Sequence, residues 1–298
     1  MKNNNQFLSQ YYDYLITKFD EAAGVMWCYA NPSPRPCFTP ELLSDLRKFL
    51  HNVKNKYNNN LSAINRTSMK FLVLGSYRPG VFSLGGDLRM FIDCIRSNDK
   101  QRLTEYMQIS IDVLYCIYKN MGLPIHTIAL IRGNALGAGF EGALSCDYLI
   151  AEKDVQLGFP EVLFNMFPGM GAYSFLARRI STIDVEKMIL SGRIYSAKEL
   201  FDMGVIDVLA ENGDGVNEAS RFIERYPKNQ NTRKALLKIR HRVNPVTLEE
   251  LLDIGQLWVD AAMSLGNREL KVMERLIRSQ DKMTKTMETT LNQVTSKA

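Results

Sequence analysis

The sequence predicts an α/β fold, and three observations predict it. Residues 69–75 (MKFLVLG) and 127–132 (TIALIR) are continuous apolar runs of strand length, as expected for strands buried on both faces. Each run is followed by a glycine-rich stretch, at 79–87 and from 133 onward. Between and after them, apolar residues recur at helical spacing. Buried strands alternating with helices make an α/β core.

In chain order, residues 1–22 are polar and aromatic and read as a lead-in segment. Val25–Ala30 is a short apolar run closed by Asn-Pro-Ser-Pro, hence a strand. Thr39, Pro40 and Glu41 read as a helix start: an N-cap, a proline at the first helical position and an acid at the positive dipole end. That helix is expected to run to about Lys54, with a polar loop over 55–67. After the strand at 69–75 and the loop at 79–87, Leu103, Tyr106, Met107, Ser110, Leu114, Ile117 and Tyr118 mark a long helix ending near Met121. The strand at 127–132 leads through GNALGAGFEGAL into a helix, and 147–151 (DYLIA) is a third strand. From about Gly169 the pattern is mostly helical, and Thr247 with Glu250 fits a capping box. The helical last third is either a second layer or a small C-terminal domain. The expected division is 1–22 lead-in, 23–205 core and 206–298 helical region, the last covering a ligand pocket and an oligomer interface.

At 298 residues, 46% hydrophobic and 23% charged, the chain is long enough and apolar enough to bury a sizeable core. A net charge of +5, with no basic run interleaved with aromatics, gives no reason to expect a nucleic-acid partner. The five cysteines form no CxxC pair, which suits a reduced, cytoplasmic protein. The three histidines lack ligand spacing, so no metal is expected. No signal peptide is expected from MKNNNQFLSQ, and no apolar stretch approaches the roughly 20 residues of a membrane helix.

The chemistry concentrates in the two glycine-rich turns. Ser83, Leu84, Gly85, Gly86 and Asp87 form the first; Gly133 through Glu141 form the second. Small residues let the backbone approach a ligand, and an amide opening a helix is an unpaired donor. Two such donors aimed at one oxygen make an oxyanion hole; without a ligand the same glycines make two tight turns. Glu141 sits just inside the second helix. Glu161 follows Phe159 and Pro160 in an apolar stretch, where proline fixes the chain direction. Buried carboxylates have raised pKa values, suited to acid–base work near neutral pH, although either could be a structural hydrogen-bond partner.

Taken together, the two turns, Asp147 after the second, Pro160 with Glu161, and Pro168 with Gly169 resemble the crotonase (enoyl-CoA hydratase/isomerase) superfamily over residues 25–205 or so. Residues 161–179 (EVLFNMFPGMGAYSFLARR) are most similar to bacterial synthases of the diffusible signal factor, a cis-2-unsaturated fatty acid of quorum sensing. The resemblance implies a ββα spiral core with a helical C-terminal region, an oxyanion hole of the Gly86 and Ala138 amides, and a catalytic pair of Glu141 and Glu161. Ala138 stands where the family usually has glycine; its amide still donates, and it fits without strain if its backbone angles are helical.

The implied substrate is a 3-hydroxyacyl chain on acyl carrier protein, or an acyl-CoA. Enolate stabilisation acidifies the α-carbon, Glu161 removes the proton and Glu141 contacts the departing hydroxyl. The same hole would serve thioester hydrolysis. No cofactor is expected, since no nucleotide fingerprint with a trailing acid is present. Acyl-pocket candidates are Leu136, Gly137, Met170, Trp258 and Leu276, with Phe159 and Phe167 equally eligible and ordinary core packing the competing explanation. A homotrimer or dimer of trimers is implied, as is a sensor histidine kinase partner. Two other functions stay open: an ordinary enoyl-CoA hydratase of fatty-acid breakdown, and a non-catalytic binding protein on the same fold.

Overall fold

The computed structural model describes residues 12–32, 34–59 and 69–295. The first half of the lead-in and most of the polar loop expected at 55–67 lie outside the described residues. The chain begins with an antiparallel hairpin of β1 (Leu15–Asp20) and β2 (Val25–Ala30), followed by α1 (Pro40–Asn59). Then the same pattern of two strands and helix recurs three times. The first repeat is β3 (Phe71–Ser76), β4 (Gly80–Ser83), α2 (Leu88–Ser97) and α3 (Lys100–Tyr118). The second is β5 (His126–Ile131), β6 (Gly133–Leu136) and α4 (Ala138–Leu144). The third is β7 (Tyr148–Glu152), β8 (Gln156–Gly158), a 3-10 turn (Pro160–Phe164), α5 (Ala172–Leu176) and α6 (Thr182–Ser191). After β9 (Ile194–Ser196), α7 (Ala197–Asp202) and β10 (Val208–Ala210), the chain ends in α8 (Gly215–Arg225), α9 (Gln230–Val243), α10 (Leu248–Met263) and α11 (Asn267–Thr295).

In each repeat the first strand joins one sheet and the second joins another, so the chain winds as a ββα spiral. The larger sheet has the order β1-β2-β3-β5-β7-β10, parallel except for β1; the smaller has the order β4-β6-β8-β9, parallel except for β9.

The continuous apolar runs are explained by two cores. Every residue of β3 and of β5 is buried. Leu72 and Leu74 face the main core with α1, α3 and α10, while Phe71 and Val73 face a second one with Ile128, Ala219, Ile223 and Tyr226. Side chains alternate across a strand, so a sheet covered on both faces needs an apolar residue at every position.

The structure adds elements that the sequence reading lacks. Strand β1 lies inside the supposed lead-in, and α1 runs five residues past Lys54. Strands β4 and β6 occupy the glycine-rich stretches, α2 fills 88–97, and β9 and β10 interrupt the helical last third. Among the described residues, no helix is long and apolar enough to cross a membrane.

Candidate active site

Three turns leave the carboxyl ends of three neighbouring parallel strands, β4, β6 and β8, where open α/β sheets commonly bind ligands. They carry Gly86, Ala138 and Glu161 respectively.

The turn into α4 depends on Gly137, at φ +51° and ψ −128°, a conformation essentially restricted to glycine. Ala138 then opens the helix with negative φ, as the sequence reading requires of an alanine there. Its amide belongs to the first turn and has no intrahelical acceptor. Gly85, at φ +105°, brings the first turn against α4: a Cβ there would lie 3.2 Å from the Leu136 carbonyl oxygen and 3.8 Å from the Ala138 nitrogen. The Gly85 carbonyl accepts from the Phe38 amide at 2.8 Å. In the trans peptide joining Gly85 to Gly86, the Gly86 N–H therefore points away from Phe38. Both amides are thus available at one place.

Residues 35–38, which the sequence reading did not single out, brace that turn. Leu84 N donates to the Pro36 carbonyl at 2.7 Å, and Phe38 bridges Gly86. Arg35 makes a bidentate ion pair with Asp87, at 2.6 and 3.2 Å. Asp87 also caps α2 by accepting from the Arg89 and Met90 amides. An aspartate directly before LRMFIDCI was a legible N-cap signal. From α11, the Gln280 side-chain amide donates to the Leu84 carbonyl at 3.1 Å.

Glu141 is almost fully buried, 1% exposed. Its Oε1 accepts from the Met170 amide at 2.8 Å and the Ala172 amide at 3.0 Å. Burial raises its pKa to about 7, an effect that the amides of Ala172, Met170 and Gly171 partly offset. Glu161 is half-buried at the start of the 3-10 turn, with Oε1 packed against Gly137 where any side chain would collide with it. Its Oε2 is shielded from water and has no hydrogen-bond partner among the described residues. Burial, followed by the charge of Glu141, raises its pKa to about 8. The two carboxylates are held in register by their neighbours: Phe140 and Phe159 stack at 5.0 Å, nearly parallel.

A cavity opens beside these groups, with Ala138, Gly142 and Met170 among its lining residues. Of the expected acyl-pocket residues, only Met170 lines it. Leu136 and Gly137 sit at the mouth, beside the first turn and Glu161. Trp258 is a core residue: its ring meets Phe91 edge-on at 5.1 Å and its side chain covers Gly169. Leu276 and Phe167 pack on the main core, and Phe159 is consumed by its stack. Helical apolar spacing marks burial but cannot say which buried face is hollow. No cluster of three or more potential metal ligands occurs among the described residues.

The sequence profile of the enoyl-CoA hydratase/isomerase family matches residues 30–256. The chain belongs to that family. Two curated relatives are the alpha subunit of the fatty acid oxidation complex of Vibrio cholerae, 32% identical over 161 residues, and a probable enoyl-CoA hydratase of Bacillus subtilis, 33% identical over 152 residues. These stretches cover 53% and 49% of this chain, and 22% and 57% of the relatives, so the chain spans less than two thirds of either. Solved enoyl-CoA hydratase/isomerase structures share the fold. Human mitochondrial delta3-delta2-enoyl-CoA isomerase superposes with TM-score 0.74 at 18% identity, covering 91% of this chain and 99% of that one. Pseudomonas aeruginosa DspI gives 0.58 at 21%, covering 92% and 100%.

Proposed function

We propose that this enoyl-CoA hydratase/isomerase-family chain interconverts 2-enoyl and 3-hydroxyacyl thioesters by adding and removing water. The observation that carries this reading is the pair of buried carboxyls with raised and unequal pKa values beside two free amides. In the hydration direction the thioester oxygen accepts from the Gly86 and Ala138 amides. Glu141, the more acidic of the two, is the carboxylate. It takes a proton from water as the water oxygen bonds to C3. The C2=C3 electron pair moves toward the carbonyl, and the resulting enolate is stabilised where the amides point. Protonated Glu161 then delivers its proton to C2. The pair exchanges the proton with solvent before the next turnover. Dehydration is the same path reversed, with Glu161 taking the α-proton. The active pair therefore carries one proton in total.

The second reading is synthesis of a cis-2-unsaturated fatty acid signal from a 3-hydroxyacyl carrier protein, with dehydration followed by thioester hydrolysis. It is favoured by residues 161–179, whose amides at Met170 and Ala172 hold the Glu141 carboxylate. One experiment separates the two. Purified protein is given 2-dodecenoyl-CoA, 3-hydroxydodecanoyl-CoA and 3-hydroxydodecanoyl carrier protein, with products identified by mass spectrometry. Interconversion of thioesters without free acid supports the hydratase reading; free 2-enoic acid from the carrier protein supports the second. No change in any substrate overturns both.

A further inference from the structure

The cavity at the mouth runs inward between α1 and α3, beneath β2 and β3, and holds about 750 Å³ of space unoccupied by atoms, its opening included. Its direction follows from the packing. At the mouth the Tyr106 hydroxyl donates to the Phe38 carbonyl at 2.8 Å and lies beside Gly86. Helix α1 packs along α3 and onto the turn Asn120–Gly122 that ends it, so both helices lead away from the mouth side by side. Leu46 on α1 and Ile117 on α3 are the lining residues farthest along. From Ser110 to Ile117 the floor descends seven residues, about 10 Å of helix.

The lining contains no charged side chain. Its two hydroxyls are already engaged, Ser110 donating to the Tyr106 carbonyl and Ser83 accepting from the Gly85 amide. The Cys28 and Cys37 thiols face it in neutral form, since burial pushes both pKa values far up. Such walls offer nothing to a polar or charged tail.

We infer that this cavity binds the unbranched apolar acyl tail of the substrate, and that Leu46 and Ile117 at its far end set the tail length. The inference rests on the thioester reading of the mouth. It places tail recognition on α1 and α3 rather than on the C-terminal helices.

The test measures kcat/KM for straight-chain 2-enoyl-CoA thioesters from butenoyl to hexadecenoyl, and by calorimetry the affinity for the saturated, unreactive acyl-CoA series. Each methylene that enters the cavity should raise kcat/KM by at most about fourfold, until the tail meets Leu46 and Ile117 and the gain stops. Ile117→Ala and Leu46→Ala should move that plateau to longer chains, and Leu46→Phe to shorter ones. The ratio of dodecenoyl to butenoyl kcat/KM should change at least about tenfold, the equivalent of two methylenes. A tail ending in carboxylate should be rejected. Where Leu46→Phe lowers the melting temperature, the two alanine variants carry the test. If Trp258→Ala or Leu276→Ala shifts the length profile while the Leu46 and Ile117 variants do not, the tail site is overturned. If no thioester turns over but acyl-CoA affinity follows the same length rule and the same variants, the proposed reaction fails and the tail site stands. If affinity is independent of tail length, the tail site fails.

Discussion

Glu141 and Glu161 differ in proton affinity for a local reason: three amides surround one carboxylate, and the other has an oxygen with no partner. Because the active pair holds one proton, kcat/KM should trace a bell. It falls below about pH 7 as Glu141 is protonated, and above about pH 8 as Glu161 loses its proton. A single ionisation, or a maximum far from this window, would refute the assignment. Replacing either residue by glutamine should cost about 10²–10⁴-fold in turnover. The linkage sign is also fixed. The folded pKa of Glu161, about 8, lies above its ordinary 4.5, so its contribution to stability is full below 4.5 and is lost as the pH rises through about 8. Glu161→Gln escapes that loss, so its melting temperature should gain on wild type between pH 4.5 and 8 and hold the gain above. A gap independent of pH would contradict the burial of this carboxyl. Arg35 acts through Asp87 on the Gly86 turn. Arg35→Met should lower kcat by up to about 100-fold through misplacement of one amide, with KM changed little, and Arg35→Lys should restore part of it. Equal effects on kcat and KM would assign it to binding instead. The two glutamates were legible because each sits in an apolar context beside glycine or proline. Arg35 was not, because its partner lies 52 positions away.

At the scale of elements, long β3, β5 and α3 could be read from pattern, whereas β4, β6, β8, β9 and β10 are three or four residues long. So short a strand cannot display a period, and glycine within it reads as a turn. The capping signals show the same limit. Thr247 does cap α10, accepting from the Glu250 amide at 3.0 Å. The Glu250 carboxylate does not complete the box; it forms a bidentate pair with Arg178 at 2.8 and 2.9 Å. The reciprocal box lies instead at Ser196 and Glu199, opening α7. A sequence can show that a motif is possible, but a competing cation elsewhere decides whether it closes. Thr247→Ala should cost about 1 kcal/mol by denaturant unfolding. In double-mutant cycles Glu250→Gln should couple to Arg178→Met and not to Thr247→Ala. Coupling to Thr247 would restore the box that the sequence suggested.

For the molecule as a whole, the spiral places all three functional turns at one end of the smaller sheet, and the C-terminal helices close around them. Helix α11 joins the first turn through Gln280 and joins α2 through Asp281 with Arg89 and Glu274 with Arg96. The fold class was legible because the two-core sheet imposes apolar runs; the position of the hollow was not, because it depends on how α1 and α3 sit together. One surface remains unaccounted for in a single chain. Helix α6 buries Val185 and Met188 on one face, yet its opposite face carries Ile183 and Leu190 at 64% and 71% exposure. Leu163 of the 3-10 turn is also exposed, and that turn packs against α6. Ile183 and Leu190 are seven residues apart and so share a face. A helix apolar all round is normally buried on both sides, and a contiguous exposed apolar patch marks an interface. The protein should therefore self-associate through α6, and sedimentation equilibrium should give a multiple of the 34.0 kDa chain, three being the expectation from its family. Ile183→Glu with Leu190→Glu places charge at the centre of that face without touching Val185 or Met188. The double variant should dissociate to monomer while keeping its far-ultraviolet circular dichroism, and a wild-type protein that is monomeric at micromolar concentration would show that the face is covered by something other than its own copy.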